Sequence, residues 1–371
     1  MAKQGKAEQG SALVYIFALC LLLSAIIALF TEKIKLYRIL NTQLEQEIIL
    51  SQVAEDLTEM ALAHLLGNED DYDAPKHFNI PAPKIEDLAR GYSAQVEIRD
   101  EGSCFNPNNL PVSYWQRYFR NAPQIYERLV NWYFQPTNSS SGLATRVRNN
   151  YLLTPEELET LGSSGDRVLS SSRLTVFGPA NYYLLDGEVF VSILQRTGLH
   201  LSALAMETII EQFDAQRGQV YSDNLDTLLS QLQLPEYPPL ARLERVLTTK
   251  GIINPNFVEA AYLRTLLPAE QQREFVDLKY RQQEQPFTSL DDFAYYLHNT
   301  HGVDISAERL RHLFSVQSKI LGIKVIIYDQ AGTEVLLTVD TIVERQEGNE
   351  EAFAVIYRRK KWGSGKGEGN G

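Results

Sequence analysis

The feature that most constrains this chain is an uncharged apolar run close to its N-terminus. The run covers residues 11–30 and reads SALVYIFALCLLLSAIIALF. At about 1.5 Å per helical residue it is ~30 Å long, which matches the hydrocarbon thickness of a bilayer. A secretory signal peptide has a shorter apolar region that ends at a small-residue cleavage site. The run therefore predicts a helix that spans a membrane.

The helix is predicted to continue well beyond the apolar run. Residues 11–66 contain neither glycine nor proline, which allows one helix of ~84 Å. Its second half has apolar residues at three- and four-residue spacings, the pattern of a helix that buries one face: Tyr37, Leu40, Leu44, Ile48, Leu57, Met60, Ala61 and Leu65. This half is expected to pack on another surface, and Gly67 is expected to cap the helix.

The composition is that of a folded, acidic protein. The 371 residues are 44% hydrophobic, enough for one large or two ordinary domains, and the formal net charge is −12. An acidic chain does not attract phosphate backbones in general, so nucleic acid is not an expected partner. Cys20 lies in the apolar run and Cys104 far from it, so an intramolecular disulfide is not expected.

Four segments have the pattern of β-strands. Residues 92–99, YSAQVEIR, alternate apolar and polar side chains and lead into the turn residues 100–102. Residues 322–328, 334–343 and 352–357 are rich in β-branched and aromatic side chains and form a plausible antiparallel meander. Together with the long helix, these strands predict an α+β fold.

A helical insertion is predicted to separate the first strand from the last three. Thr154, Pro155 and Glu157 supply an N-cap, a proline at the first helical position and a capping-box carboxylate, and Ser289 begins a similar helix start. The insertion also contains a weak repeat with an offset of 73 residues, which predicts two related helical units. The repeated residues are Leu174, Thr175, Gly178 and Asn181, then Leu247, Thr248, Gly251 and Asn254.

The first ten residues, MAKQGKAEQG, resemble the leader of a class III prepilin. In that family a membrane peptidase cuts after the glycine and methylates the new N-terminus, which implies cleavage between Gly10 and Ser11. Most pilins carry glutamate at the fifth mature position, where it is thought to neutralise the terminal ammonium of a neighbouring subunit. Here that position is Tyr15, a departure shared with the minor pseudopilin family named general secretion pathway protein K. That family is thought to cap the filament tip.

Three further segments resemble the same K family. Residues 96–110 are similar to its strand, acidic turn and asparagine-x-asparagine element, with Asp100, Asn106 and Asn108 in those places. Residues 250–267 are similar to its second such element, with Asn254 and Asn256, and residues 313–318 to the entry of its C-terminal sheet. Asparagine side chains commonly bond backbone groups in turns, so a structural role is expected for all four.

The resemblance implies a pilin-like helix on an antiparallel sheet, with an inserted domain of two SAM-like units. It also implies an inner-membrane anchor with an extracytoplasmic head, other minor pseudopilins and a prepilin peptidase as partners, and contact with membrane lipid. The implied boundaries are a leader at 1–10, the helix at 11–66, a pilin-like region at 67–109, the insertion at 110–315 with units near 167–232 and 243–297, the C-terminal sheet at 316–360, and a flexible tail at 361–371.

No catalytic, cofactor or metal site is predicted. His298 and His301 have a ligand-like interval, but they match no zinc motif and are interpreted as helix-end histidines. Some K-family members have an acidic segment suited to calcium, and residues 131–138 here lack its carboxylates. Two alternatives stay open: a minor pilin of a type IV pilus, and a DNA receptor with helix-hairpin-helix-like turns at residues 198–200 and 266–268.

Overall fold

The structure is a computed structural model that describes residues 5–80, 92–134, 148, 150–161, 174–232, 234, 239–329, 331–346 and 352–363. Its first element is the helix α1, Gly5–Leu66. The helix includes residues on both sides of Gly10, because the preceding Lys, Ala, Glu and Gln residues favour helix as well. The single long N-terminal helix predicted from the sequence is therefore confirmed.

The end of α1 was predicted correctly, but its cap differs from the expected one. Gly67 follows the last helical residue, and its N–H donates to the carbonyl of Ala63 at 2.9 Å. Gly67 is not among the glycines with positive φ, so it caps the helix without the left-handed conformation that is usual for glycine there. The bond to Ala63 continues the helical pattern and satisfies this carbonyl without a left-handed residue.

The described strands form two sheets. They are β1 Ser93–Asp100, β2 Ala180–Asn181, β3 Leu247–Thr248, β4 Ile320–Tyr328, β5 Val335–Arg345 and β6 Phe353–Trp362. The larger sheet is antiparallel in the order β1-β4-β5-β6, and β2 and β3 form a short parallel pair. The predicted meander is confirmed. β4 begins two residues earlier and β5 ends two residues later than expected, and β6 extends furthest, to Trp362, because an edge strand tolerates the charged residues 358–361.

One face of the large sheet is covered by the second half of α1. Leu50, Val53, Leu57 and Ala61 are buried on this face, and they pack with buried residues of β4 and β5 such as Val325. Burial of these side chains contributes about 1.5–3 kcal/mol for each large aliphatic residue. The amphipathic half of α1 is thus part of the folded head.

Between β1 and β4 the chain forms a helical insertion with its own core. The core contains the fully buried rings of Trp115, Tyr133, Phe190, Phe213 and Phe287. The described α-helices of the insertion are α2 Val112–Tyr118, α3 Pro123–Tyr133, α4 Pro155–Leu161, α5 Gly187–Arg196, α6 Ala203–Gln216, α7 Leu225–Leu229, α8 Leu240–Leu243, α9 Ala260–Leu266, α10 Leu278–Glu284, α11 Leu290–His301 and α12 Ala307–Leu313.

Two predicted helix starts are confirmed by their caps. At the start of α4 the Glu157 carboxylate accepts from the Thr154 N–H at 3.1 Å, and the Glu157 N–H donates back to the Thr154 hydroxyl at 3.4 Å. At the start of α11 the Ser289 hydroxyl accepts from the Asp292 N–H at 3.1 Å. These bonds satisfy N–H groups that have no partner inside the helix. The SAM-like character of the two predicted units stays a prediction.

Candidate functional site

The N-terminal part of α1, up to Ile49, is exposed and largely apolar. Every described side chain from Val14 to Ile49 is exposed, and Leu50 is the first buried one. From Val14 onward α1 is long and apolar enough to span a bilayer; its most apolar stretch has a mean hydropathy of 2.6 and no buried residue. Water penalises this much exposed apolar surface, so the segment requires lipid or another protein around it.

Two hydroxyl groups in and next to the apolar run bond to the backbone of the helix. The hydroxyl of Ser24 donates to the carbonyl of Cys20 at 2.8 Å, and that of Thr31 donates to the carbonyl of Ile27 at 2.8 Å. Such back-bonding removes the need for water around a hydroxyl in hydrocarbon. Tyr15, the residue at the predicted fifth mature position, is 73% exposed. The side chains of Gly10 and Ser11 lie outside the described part of the chain.

A row of apolar side chains continues along α1 between the apolar run and the head. Its members are Leu36, Tyr37, Leu40, Leu44 and Ile48, which we call the α1 stripe. They are 43–69% exposed, and their spacings of one, three and four residues place them on one side of the helix. The stripe is turned by roughly a quarter of a circle from the side that Leu50, Ala54, Leu57 and Ala61 bury in the head, at about 100° per residue.

β1 ends in a buried carboxylate that joins the turn after this strand to the residues just before β4. The carboxylate of Asp100 accepts from the Ser103 N–H at 3.2 Å, the Ser103 hydroxyl at 2.7 Å and the Ser318 hydroxyl at 2.9 Å. Burial raises the pKa of Asp100 to about 7, although the hydrogen bonds from Ser103 and Ser318 favour its ionised form. The nearby Asp73 carboxylate also raises it.

Asp73 supplies the second buried carboxylate at this junction. It accepts from the Ser318 N–H at 2.8 Å and forms an ion pair of 3.1 Å with Arg345 of β5. Its side chain is 2% exposed. Asp73 was not predicted from the sequence, because it lies in an acidic loop, residues 69–73, that has the composition of a solvated surface. Its contacts fix the loop after α1 to the start of β4 and the end of β5.

Asn254 and Asn256 connect the insertion to the same junction. The Asn254 amide donates to the carbonyls of Asp73 at 3.2 Å and Val316 at 2.9 Å and to the Ser318 hydroxyl at 3.1 Å. The Asn256 amide donates to the Asp73 carbonyl at 2.9 Å, and the Asn254 side chain accepts from the Asn256 N–H at 2.9 Å. Both residues are at most 1% exposed, so these bonds satisfy polar groups far from water.

Asn106 and Asn108 make equivalent contacts inside the insertion. The Asn106 side chain accepts from the Asn108 N–H at 3.0 Å and donates to the Phe177 carbonyl at 2.9 Å. The Asn108 amide donates to the Leu152 carbonyl at 2.7 Å, and its oxygen accepts from the Tyr133 hydroxyl at 2.6 Å. All these partners belong to the protein itself.

One backbone arrangement occurs three times along the insertion. A residue directly before an asparagine pairs in parallel with a distant residue, and the asparagine amide donates to a carbonyl shortly after that partner. In the first set Phe105 pairs with Leu174, and the Asn106 amide donates to the Phe177 carbonyl. In the second set Ala180 pairs with Leu247, and the Asn181 amide donates to the Lys250 carbonyl. In the third set Ile253 pairs with Phe314, and the Asn254 amide donates to the Val316 carbonyl. The sequence repeat with an offset of 73 residues therefore coincides with repeated contacts, and a third set follows that the sequence did not reveal.

The histidines with a ligand-like interval bind separate carboxylates. In the last turn of α11, His298 lies 2.6 Å from Asp304 and His301 lies 3.1 Å from Asp277. Within the described ranges no three His, Cys, Asp or Glu side chains are grouped as a metal site would require. Of the segment compared with the calcium-binding element, residues 135–138 lie outside the described ranges.

The turns considered for DNA binding have their N–H groups engaged. The N–H of Gly198 donates to Gln195 at 3.0 Å and that of Leu199 to Leu194 at 3.2 Å. The N–H of Leu267 likewise donates to Arg264 at 3.3 Å. A helix-hairpin-helix turn needs such groups free to reach phosphate. These contacts count against the DNA-receptor interpretation.

No protein-family model matches the chain, and no curated protein matches it. Among solved structures, it is similar to a chain of the GspK-GspI-GspJ complex from the type 2 secretion system of enterotoxigenic Escherichia coli. The match covers 86% of this chain and 98% of that chain, with 16% sequence identity and a TM-score of 0.30.

Proposed function

We propose that this chain is a minor pseudopilin of a type II secretion system, a subunit that helps to start the pseudopilus and so supports protein export. The observation that carries the proposal is the division of α1. Residues 14–49 form an exposed apolar helix, whereas the same helix from Leu50 onward is buried on an antiparallel sheet. One continuous helix can thus be held in lipid before assembly and packed against other helices after it.

We infer that the chain is a single-pass protein of the inner membrane, with the head outside the cytoplasm. The span near residues 14–30 supports the anchor, and the leader resemblance supports the orientation. The positive-inside count does not favour this orientation, because Lys33, Lys35 and Arg38 follow the span while only Lys3 and Lys6 precede it. Lipid surrounds the helix in this state.

The proposed position in the filament is the tip. A glutamate at the fifth mature position would neutralise the ammonium of a subunit that assembles ahead of it, and an uncompensated charge in a membrane costs several kcal/mol. This chain has Tyr15 in that place. It offers no carboxylate there to a subunit ahead of it, which suits the first subunit. Other minor pseudopilins then contact it from below through the α1 stripe.

Processing by a prepilin peptidase tests the proposal. Co-expression with such a peptidase should shorten the full chain by the ten leader residues, and the mass of the product should show a methylated Ser11 at its N-terminus. Gly10→Ala should stay full length, whereas the control Gly5→Ala in the same leader should be cut normally. A Gly10→Ala chain that is still shortened by ten residues would show that the first ten residues are not a prepilin leader.

A further inference from the structure

The side of α1 that carries the α1 stripe continues to a residue that contacts the edge strand β6. Tyr37, Leu44, Ile48 and Glu55 are separated by seven, four and seven residues, which are close to whole helical turns. Glu55 therefore lies directly above the stripe on the same side of α1. Its carboxylate is 3.5 Å from Arg358 Nη1 and 3.5 Å from Lys360 Nζ of β6. The stripe thus leads directly to β6.

β6 presents cationic and apolar side chains beside α1. Arg358, Lys360 and Trp362 lie on the sheet face that α1 covers, because they pair with Thr341, Val339 and Leu337 of β5, and the latter two belong to the core under α1. A register shift after Ile342 brings Val355, paired with Val343, onto this face as well. Val355 is 59% exposed and Trp362 is 41% exposed.

β6 also carries an unusual charge for this protein. Its sequence, FAVIYRRKKW, contains four cations and no acid, while the whole chain has a net charge of −12. Arg359 points to the opposite sheet face, where it pairs with Asp340 and with Glu156 of the insertion. Beside α1, Arg358 and Lys360 share only the carboxylate of Glu55 among the described contacts. Two cations of β6 thus face one carboxylate of α1 there.

We propose that the α1 stripe and this face of β6 form one docking surface for the N-terminal helix of a neighbouring pilin-like subunit. The inference rests on the proposed function and adds where the neighbour lies and what it must carry. The neighbour's helix places apolar residues along the stripe and at least one carboxylate beside Arg358 and Lys360.

Two features of the surface select a membrane-anchored acidic helix as the occupant. The stripe is a straight row of side chains along a helix axis, and a second helix fills such a row by ridge-into-groove packing. The row begins within about 10 Å of the predicted span, as Leu36 follows Phe30 by six residues, so the occupant must also emerge from the membrane. The excess charge on β6 then selects an acidic stretch further along that helix.

Site-specific photo-crosslinking in the full-length chain, expressed in its own host, tests the surface. A photoreactive residue replaces Leu44, Val355 or, as a control on the insertion, Tyr295, which is 69% exposed. We expect Leu44 and Val355 to link to one helix of the same pilin-like subunit, identified by mass spectrometry, and Tyr295 to give no such link. The control residue is exposed to a similar extent, so it measures unspecific reaction.

A charge reversal on neighbouring residues tests the role of β6. Lys360→Glu should reduce the Val355 link by about tenfold, since one favourable charge contact becomes unfavourable. Lys361→Glu makes the same charge change one residue later, on the other face of the strand, and should leave the link unchanged. Unfolding temperatures of both variants confirm that the head remains folded.

The outcomes separate this inference from the function on which it rests. A Leu44 link to a pilin-like helix without a Val355 link contradicts the docking of β6 and leaves the proposed function in place. A Val355 link to lipid, to a second copy of this chain or to a protein that is not pilin-like contradicts the inference. No pilin-like link from either residue contradicts both.

Discussion

The hydroxyl of Ser318 donates a hydrogen bond of 2.9 Å to the carboxylate of Asp100, and so joins the start of β4 to the end of β1 at the point where the insertion leaves the sheet. The N–H of Ser318 donates to Asp73 at the same time. Ser318 thus donates to two buried carboxylates, and its hydroxyl also accepts from Asn254 of the insertion. Segments around residues 73, 100, 254 and 318 therefore meet at this point.

The stability of the head should depend on pH through Asp100. Burial raises its pKa from 3.8 to about 7, so its contribution is complete below pH 3.8 and is lost as the pH rises through 7. The free energy of unfolding of the full chain in detergent, relative to Asp100→Asn, should therefore fall between pH 4 and pH 8. A difference that stays constant over this range would show that Asp100 does not titrate there.

Asp329 provides a control with the opposite sign. N–H groups of Glu334 and Thr333 donate to its carboxylate and lower its pKa. Its contribution is present above pH 3.8 and is lost as the pH falls below this value. Asp329→Asn should consequently leave the pH dependence between 4 and 8 unchanged, and it should alter stability only in more acidic solution.

Asn254 should be one of the most sensitive positions in the chain. Asn254→Ala removes three donated bonds and one accepted bond in a site with no exposure, at a cost of about 3 kcal/mol. Asn254→Asp should be at least as damaging at pH 8, because it adds a carboxylate beside Asp73 and Asp100. The control is Asn224→Asp, since Asn224 caps α7 only as an acceptor. Chemical unfolding measures all three.

Gly251 should not tolerate a side chain, although its φ is not positive. A Cβ at Gly251 would lie 2.7 Å from the backbone nitrogen of Phe314 and closer still to its carbonyl group. Gly251→Ala should cost about 2–3 kcal/mol, because a backbone segment must move. At Gly67 a Cβ would be 3.4 Å from the carbonyl oxygen of Ala63, and Gly67→Ala should change stability by less than about 0.5 kcal/mol. Equal losses at both positions would contradict this explanation.

A soluble head should retain the second half of α1. The chain lacking residues 1–34 keeps Leu50, Val53 and Leu57, which fill the core under the sheet, and should be soluble and monomeric. The chain lacking residues 1–66 exposes that sheet face and should aggregate. A head that began at Gly67 would lack Leu50, Leu57 and Leu65, which are buried under the sheet. Gel filtration of the two fragments compares them directly.

Sequence patterns were sufficient to predict α1 and the strands of the large sheet. The apolar run and the absence of glycine and proline predicted α1, and alternation predicted β1 and the three C-terminal strands. These patterns are local, so they can be recognised in the sequence without knowledge of tertiary contacts. The last residues of β6 were missed because Arg358 and Lys360 look like a solvated end, whereas at a sheet edge they remain paired to β5.

The junction could not be predicted in the same way. Asp73 bonds to residues more than two hundred positions away, and nothing in its local sequence distinguishes it from Asp70 or Asp71. Asn254 was singled out by the resemblance and by the repeat, but its partners depend on how the insertion meets the sheet. Long-range polar contacts of this kind leave no period in the sequence.

The tip position is tested most directly by labelling the head in isolated filaments. Immunogold against the insertion, bound to pseudopili from cells that produce the unmodified protein, should mark one end of each filament. Tyr15→Glu should leave processing intact and allow some label along the shaft, because it supplies the carboxylate that an internal subunit needs. Label distributed along the shaft in the unmodified protein would contradict the account.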